Sequence, residues 1–419
     1  MKRKYILLAA FVFVVILHFI FNTDNCSAQW VQTNCPYGET INSLAYSGTE
    51  LFAGTAGGGV FISQNNGESW TAVNNGLTNL YVEALIASGT NIFAGTWGSG
   101  VFLSTNSGSS WTAVNNGLAS SKYIHCFVFS GTKLFAGTHY FSSGGGIYFS
   151  TNNGTNWTYS GLTAHSVKTL AVPGSNLFAG TDSYPFGTGG AWISTDNGTN
   201  WSAAGLTNQY VWSITFSGSY LFAGTNGAVY SSINNGTNWT VAANTGLNGQ
   251  EIKLAVSGAY LFAGTNNGIY LSTNNGASWL SKNQGFTNNP NGPNVWVTLF
   301  ANNYIFAGTN ISVWRRSFAD IVGIKQISGL MPSSYSLSQN YPNPFNPSTN
   351  LEFGISKLGF VSLKIYDLLG KEVVTLVNEK LNPGKYSVEF DGSSLTSGVY
   401  FYRLTTDGFS DTKRMMLLK

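Results

Sequence analysis

Ile92-Phe-Ala-Gly-Thr96, then Gly100-Val-Phe-Leu-Ser104, then Thr105-Asn-Ser-Gly-Ser-Ser-Trp111, is one turn of a unit that recurs through two thirds of the chain. The tetrapeptide Phe-Ala-Gly-Thr starts at Phe52, Phe93, Phe135, Phe178, Phe222, Phe262 and Phe306, at intervals of 40 to 44 residues. Four strands of five or six residues, with their turns, need about 40 residues. A box of Ser, any residue, Asn or Asp, any, Gly, any, any, Trp follows in six units: Ser63 to Trp70, Ser104 to Trp111, Ser150 to Trp157, Ser194 to Trp201, Ser232 to Trp239 and Ser272 to Trp279. The box reads as the turn between the third and fourth strands. Its Asn or Asp bonds the turn's own backbone, its Gly takes positive φ, and its Trp fills the gap between neighbouring sheets.

Composition agrees with many short strands. Of 419 residues, 50 are Gly, 15% are aromatic and only 9% are charged. So many aromatics and so little charge exclude a disordered chain, and the Gly, Asn, Ser and Thr content disfavours helices. The ends of the array decide between a line and a ring. The seventh unit stops without a box, whereas Trp30-Val-Gln-Thr-Asn34 stands before the first unit as Trp70-Thr-Ala-Val-Asn74 stands before the second. Trp30 therefore takes a box-Trp position, and the N-terminal strand completes the last sheet. This removes the open edges of a linear array. The expected fold is all-β, a seven-bladed β-propeller closed by the N-terminal strand.

The repeats resemble the Asp-box repeats of bacterial neuraminidases (BNR repeats), and residues 30 to about 318 are similar to the seven-bladed propellers of that superfamily. Most boxes carry Asn in place of the acid, and only Asp196 keeps it. The substitution preserves the turn bond.

Lys2, Arg3 and Lys4, an apolar run from Ile6 to Phe21, and Cys26-Ser-Ala28 have the layout of a signal peptide over residues 1–28. Without it the chain carries 17 cations and 16 acids, from totals of 20 and 17 less Lys2, Arg3, Lys4 and Asp24. No basic field then favours a nucleic-acid partner, and no transmembrane anchor is expected in the mature chain. Cys35 and Cys126 fall in distant units and read as free thiols. The propeller spans residues 29–318, a linker 319–334, and a second domain 335–419 with alternating strands such as Val361 to Tyr366 and Val399 to Leu404, an immunoglobulin-like β-sandwich.

That tail resembles the type A C-terminal sorting domain of the type IX secretion system of Gram-negative bacteria. The matching pieces are Tyr341-Pro-Asn-Pro-Phe345, Leu363-Lys-Ile-Tyr-Asp367 with Gly370, Gly384-Lys-Tyr386, Phe390-Asp-Gly-Ser393, Ser397-Gly-Val-Tyr-Phe-Tyr402 and Lys413-Arg-Met-Met-Leu-Leu-Lys419. The resemblance implies the type IX machinery as a partner, and a secreted or outer-surface location after signal-peptide export to the periplasm.

Groups for catalysis are sparse. A sialidase needs three convergent arginines, but between Trp30 and Phe318 the only arginines are the adjacent Arg315 and Arg316, which point to opposite faces of one strand. A different glycosidase needs two carboxylates about 5 to 10 Å apart; Glu83, Glu251 and Asp182 are the candidates for a polysaccharide hydrolase or lyase. His125, His139 and His165 lack metal-ligand spacing, and no cofactor or metal is expected. The loop between second and third strands lengthens only in the third and fourth units, through His139, Tyr140 and Phe141 and through Asp182, Tyr184 and Phe186. With Trp97, Tyr210 and Trp212 they form the candidate ligand-binding set, since loop aromatics suit sugar rings or peptide side chains. The chain thus reads as a non-catalytic binding or scaffolding module for a glycan or protein ligand.

Overall fold

The computed structural model describes residues 29–419 except 36–37, 119–121, 142–143, 183–188, 287–291, 329 and 393–394. The segment read as a signal peptide lies outside the described residues, as do Tyr184 and Phe186.

Each Phe-Ala-Gly-Thr segment is the second strand of a four-stranded antiparallel sheet. The first such sheet runs Ile41–Ser47, Glu50–Thr55, Val60–Ser63, Thr71–Ala72. Among the described residues there are seven sheets of this kind, followed by two four-stranded sheets in the tail. The tetrapeptide recurs because each residue has a fixed job. Phe and Ala are buried in every copy. Thr folds back on the hairpin that follows it, as Thr96 Oγ1 donates to Gly100 O at 2.9 Å and Thr309 Oγ1 to Ser312 O at 2.8 Å. Gly leaves room for the neighbouring sheet. A Cβ at Gly95 would lie 2.6 Å from Ile124 Cγ2, and one at Gly137 would lie 2.7 Å from Val167 Cγ1.

The same contact joins the last sheet to the first, where a Cβ at Gly308 would lie 2.8 Å from Ile41 Cγ2. The seventh sheet consists of Val295–Ala301, Tyr304–Thr309 and Val313–Ser317 with Val31–Gln32 on its edge, in the register Val31↔Arg315 and Gln32↔Trp314. Trp30 is bound as a box Trp is bound. Trp111 donates from its backbone to Asn75 O at 2.8 Å and from its indole to Val73 O at 2.6 Å, both in the preceding unit. Trp30 does the same to Gln284 O at 2.8 Å and to Lys282 O at 2.7 Å, and stacks on Phe286 with centroids 4.9 Å apart.

In the box, Ser104 Oγ accepts from Gly108 N at 2.8 Å, and Asn106 Oδ1 accepts from Ser110 N at 2.9 Å, so side chains close the turn. Two successive residues take positive φ, Ser107 at 52° and Gly108 at 85°. Trp111 stands just before a fourth strand of only two residues, Thr112–Ala113, rather than opening it. Asp196 Oδ1 makes the same turn bonds as the Oδ1 of its Asn counterparts, and its Oδ2 accepts in addition from Asn200 Nδ2 at 2.7 Å. Its carboxyl is held down at about 2, first by the Asn200 backbone N–H and then by the Asn200 side chain and Ser194. Asp196→Asn is therefore expected to leave the melting temperature at pH 7 unchanged. A clear drop would show that the charge itself, not the turn bond, is needed.

The stretch read as a linker, 319–334, is largely structured. A short helix, Phe318–Val322, buries Ile321 among the last sheets, and the strand Ile324–Ser328 pairs with Gly384–Asp391, Ile324 opposite Val388. The absence of repeat signature hid two buried apolar anchors, Ile321 and Ile324. The tail sheets run Ile324–Ser328, Gly384–Asp391, Ser348–Ile355, Ser336–Leu337 and Glu372–Leu381, Gly359–Tyr366, Gly398–Thr406, Phe409–Leu417. They enclose one core that includes Phe345, Leu363, Val388, Tyr402 and Leu417. Cys35 and Cys126 are free, and burial pushes both thiols up to about 12, where they are inert near neutral pH.

Candidate functional site

Every repeat carries a buried Ile or Val at the start of its first strand or just before it: Ile41, Val82, Ile124, Val167, Val211, Ile252 and Val295. The residue after it is different in kind from sheet to sheet: Asn42, Glu83, His125, Lys168, Trp212, Lys253 and Trp296. All seven line a single cavity of about 210 Å³, together with Val297. The backbone explains why they converge. In five sheets the register slips at this residue, between Ile41 and Ser43, Val82 and Ala84, Ile124 and Cys126, Val167 and Thr169, and Val295 and Val297. A bulge leaves its extra residue unpaired and re-aims its side chain.

Two groups meet beside this cavity, one packed on its lining residue His125 and the other on Trp212. On one side, Trp97 is packed against Tyr123, His139 and Phe141 with centroids 5.2, 5.2 and 5.9 Å away, and Tyr81 at 6.1 Å. His139 Nδ1 lies 3.0 Å from His125 Nε2, and Lys168 Nζ lies 2.9 Å from the same nitrogen. With Nε2 accepting from the Lys168 ammonium, His125 carries its proton on Nδ1, which faces Glu83 Oε1 at 3.5 Å. Burial holds both imidazoles below the ordinary range, His139 at about 3, with the Lys168 charge acting in the same direction. Both are neutral at physiological pH.

On the other side, Lys253 Nζ lies over the faces of Trp212, 3.8 Å from the centroid, and Trp296, at 5.6 Å. Tyr210 stacks on Trp212 at 6.0 Å, and the Trp212 indole donates to Asn226 Oδ1 at 2.6 Å. Burial lowers Lys253 to about 8; Glu251 and Glu83 oppose the shift and Lys168 adds to it. Lys168 joins the two sides, since its ammonium also pairs with buried Asp182 at 3.4 Å and reaches toward Trp212 at 5.7 Å.

Of the candidates read from sequence, Trp97, His139, Phe141, Asp182, Tyr210 and Trp212 therefore gather at or beside this cavity. Tyr140 donates its backbone N–H to Ser166 Oγ at 3.0 Å next to them. Sequence reasoning passed over Asn42, Lys168 and Lys253. The signal was present, because the ring residue stands ten positions before the repeat Phe in six units and nine in the sixth. Arg315 and Arg316 lie apart from the cavity, Arg315 paired with Glu68 at 3.3 Å and Arg316 donating to Lys282 O and Gln284. Among the described residues no group of three or more His, Cys, Asp and Glu is placed to hold a metal, and no helix is long and apolar enough to cross a membrane.

Comparison with known proteins places the two halves. Residues 339–418 match the family described as Secretion system C-terminal sorting domain, so the tail is a type IX sorting domain and marks the chain for export. The repeat region before it has the β-propeller fold. The structure titled YCF48 bound to D1 peptide aligns with a TM-score of 0.55 at 15% identity, covering 69% of this chain and 96% of that one. YCF48 from Cyanidioschyzon merolae aligns at 0.53 and 15%, covering 69% and 98%. The GH74 xyloglucanase from Xanthomonas campestris aligns at 0.46 and 14%, covering 67% and 59%. At these identities the likeness to the two YCF48 structures is one of fold alone. No curated protein matches the chain.

Proposed function

We propose that this is an exported, non-catalytic binding module: a seven-bladed propeller closed by its own N-terminal strand, which takes a glycan or protein ligand at the mouth of the ring-lined cavity. The observation that carries the reading is internal. Across the repeats the scaffold residues recur, while the equivalent position that every sheet turns to the cavity reads Asn, Glu, His, Lys, Trp, Lys, Trp. A fold element would repeat, whereas a recognition surface built from repeats varies at the positions that touch the ligand. Closure is supported by the Trp30 bonds and by Gly308 packing on Ile41. A signal peptide at residues 1–28 and the sorting tail would deliver the propeller to the cell surface or the medium.

A polysaccharide hydrolase or lyase built on Glu83, Glu251 or Asp182 fits less well, because Glu83 faces His125 and Asp182 is paired with Lys168. Replacing Tyr140, Phe141, Tyr184 and Phe186 together by Ala is expected to abolish retention on a glycan or peptide array while barely moving the melting temperature. Equal retention by the variant would remove the aromatic patch as the docking surface.

A further inference from the structure

Lys253 is the one ring residue whose charged head has no polar partner: among the described residues it has neither an ion pair nor a hydrogen bond, only the two indole faces of Trp212 and Trp296. Lys168, by contrast, is held by Asp182 and His125. Burial and a second ammonium on the same cavity favour the nucleophilic free amine and outweigh the attraction of the indole faces for the ammonium form. The cavity it faces, about 210 Å³, has room for a small molecule at that nitrogen.

We propose that Lys253 is a reversible covalent capture site for small aldehydes. The amine adds to the carbonyl carbon to give a carbinolamine, which loses water to form the imine, and hydrolysis returns both partners. No oxidant or reductant is consumed. The flat body of an aromatic or unsaturated aldehyde would lie against Trp212 and Trp296. Solvent water takes the proton released from nitrogen and returns it to the departing hydroxyl, and Glu83 lines the same cavity. The charged and titratable groups acting on Lys253 are Glu251 from its own segment, Lys168, Glu83 and the neutral His125. This assignment names a ligand class for the cavity already described and does not require the aromatic patch around Trp97 and Phe141.

The full chain without its leader is treated with limiting benzaldehyde and cyanoborohydride at pH 8, and the benzylated lysines are mapped by mass spectrometry. At that pH about half of Lys253 carries a free amine, since its value is lowered to about 8, against well under a hundredth of an ordinary lysine. Lys253 is expected to be labelled at least about tenfold faster than the exposed Lys357 and Lys385. Its rate should level off above pH 8. Lys253→Arg removes the fast label, and Lys168→Gln moves the Lys253 profile to higher pH by withdrawing the neighbouring cation. Labelling of Lys253 no faster than Lys357 and Lys385, or a profile rising only in the ordinary lysine range, overturns the proposal. Array binding by a chain whose Lys253 labels slowly would sink this assignment alone. A fast Lys253 in a chain that retains nothing on the array would instead sink the broader binding reading.

Discussion

Trp30→Ala is expected to destabilise the propeller by about 3 to 5 kcal/mol, the range for truncating a buried aromatic. Trp30 is 2% exposed although it stands at the start of the described chain. Three contacts are lost together: the indole bond to Lys282 O, the stack on Phe286, and the packing around Trp314, whose own ring is edge-on to Phe286 at 5.2 Å. The damage spreads because Val31–Gln32 is a two-residue strand. With so few ladder bonds, its place on Val313–Ser317 is held by the side chain before it and not by the pairing itself. The free edge of the seventh sheet would then offer unpaired backbone groups to other chains. The measurement is the denaturant midpoint by circular dichroism, with limited proteolysis reporting early cleavage in the first forty residues. A midpoint equal to the parent's would mean that the last sheet stands without its N-terminal strand, and the proposed closure would have no energetic basis.

That prediction was legible in the residues, and the cavity was not. The repeat announces itself because each scaffold residue is fixed by contacts that recur: the Phe-Ala-Gly-Thr strand by burial, close approach and the Thr clamp, and the box by its own side-chain bonds. Trp30 could be assigned by matching its spacing to Trp70. Lys168 and Lys253 carry no such mark. Each follows a buried aliphatic residue and reads as the polar half of an ordinary alternating strand. What turns Lys168 inward is a register slip, which is a property of strand pairing and has no signature in a single strand. Lys253 reaches the cavity in a sheet without that slip, its strand pairing regularly from Lys253 opposite Gly264. The third unit's aromatic loop attracted attention through length, yet what joins it to the cavity is Phe141 against Trp97 and His139 against the ring residue His125, fourteen positions earlier. The linker was misread for a similar reason: Ile321 and Ile324 gain meaning only from the surfaces they cover.

Gly224→Ala is expected to cost about 3 kcal/mol, at the upper end of the overpacking range, in a repeat where Ala is a single methyl away from the native residue. The added Cβ would run into the Ile252 carbonyl oxygen of the next sheet and come within 2.6 Å of Ser213 Oγ. At Gly95 and Gly137 the nearest obstacles are side-chain atoms, Ile124 Cγ2 and Cys126 Sγ, but at Gly224 the nearest is backbone. Moreover, Ile252 N donates to Thr225 O at 3.2 Å, so the two sheets cannot part without losing that bond. An opposing effect exists, because replacing Gly by Ala lowers the entropy of the unfolded chain and stabilises by about 0.4 to 1 kcal/mol where the site tolerates a methyl. Gly57 measures that term alone: its nearest obstacle is Glu39 Oε2 at 3.5 Å. Gly57→Ala should therefore hold or slightly raise the midpoint while Gly224→Ala lowers it sharply. If both variants moved together, the repeated glycine would be a matter of chain flexibility, and the close approach of neighbouring sheets would not be what fixes it in all seven units.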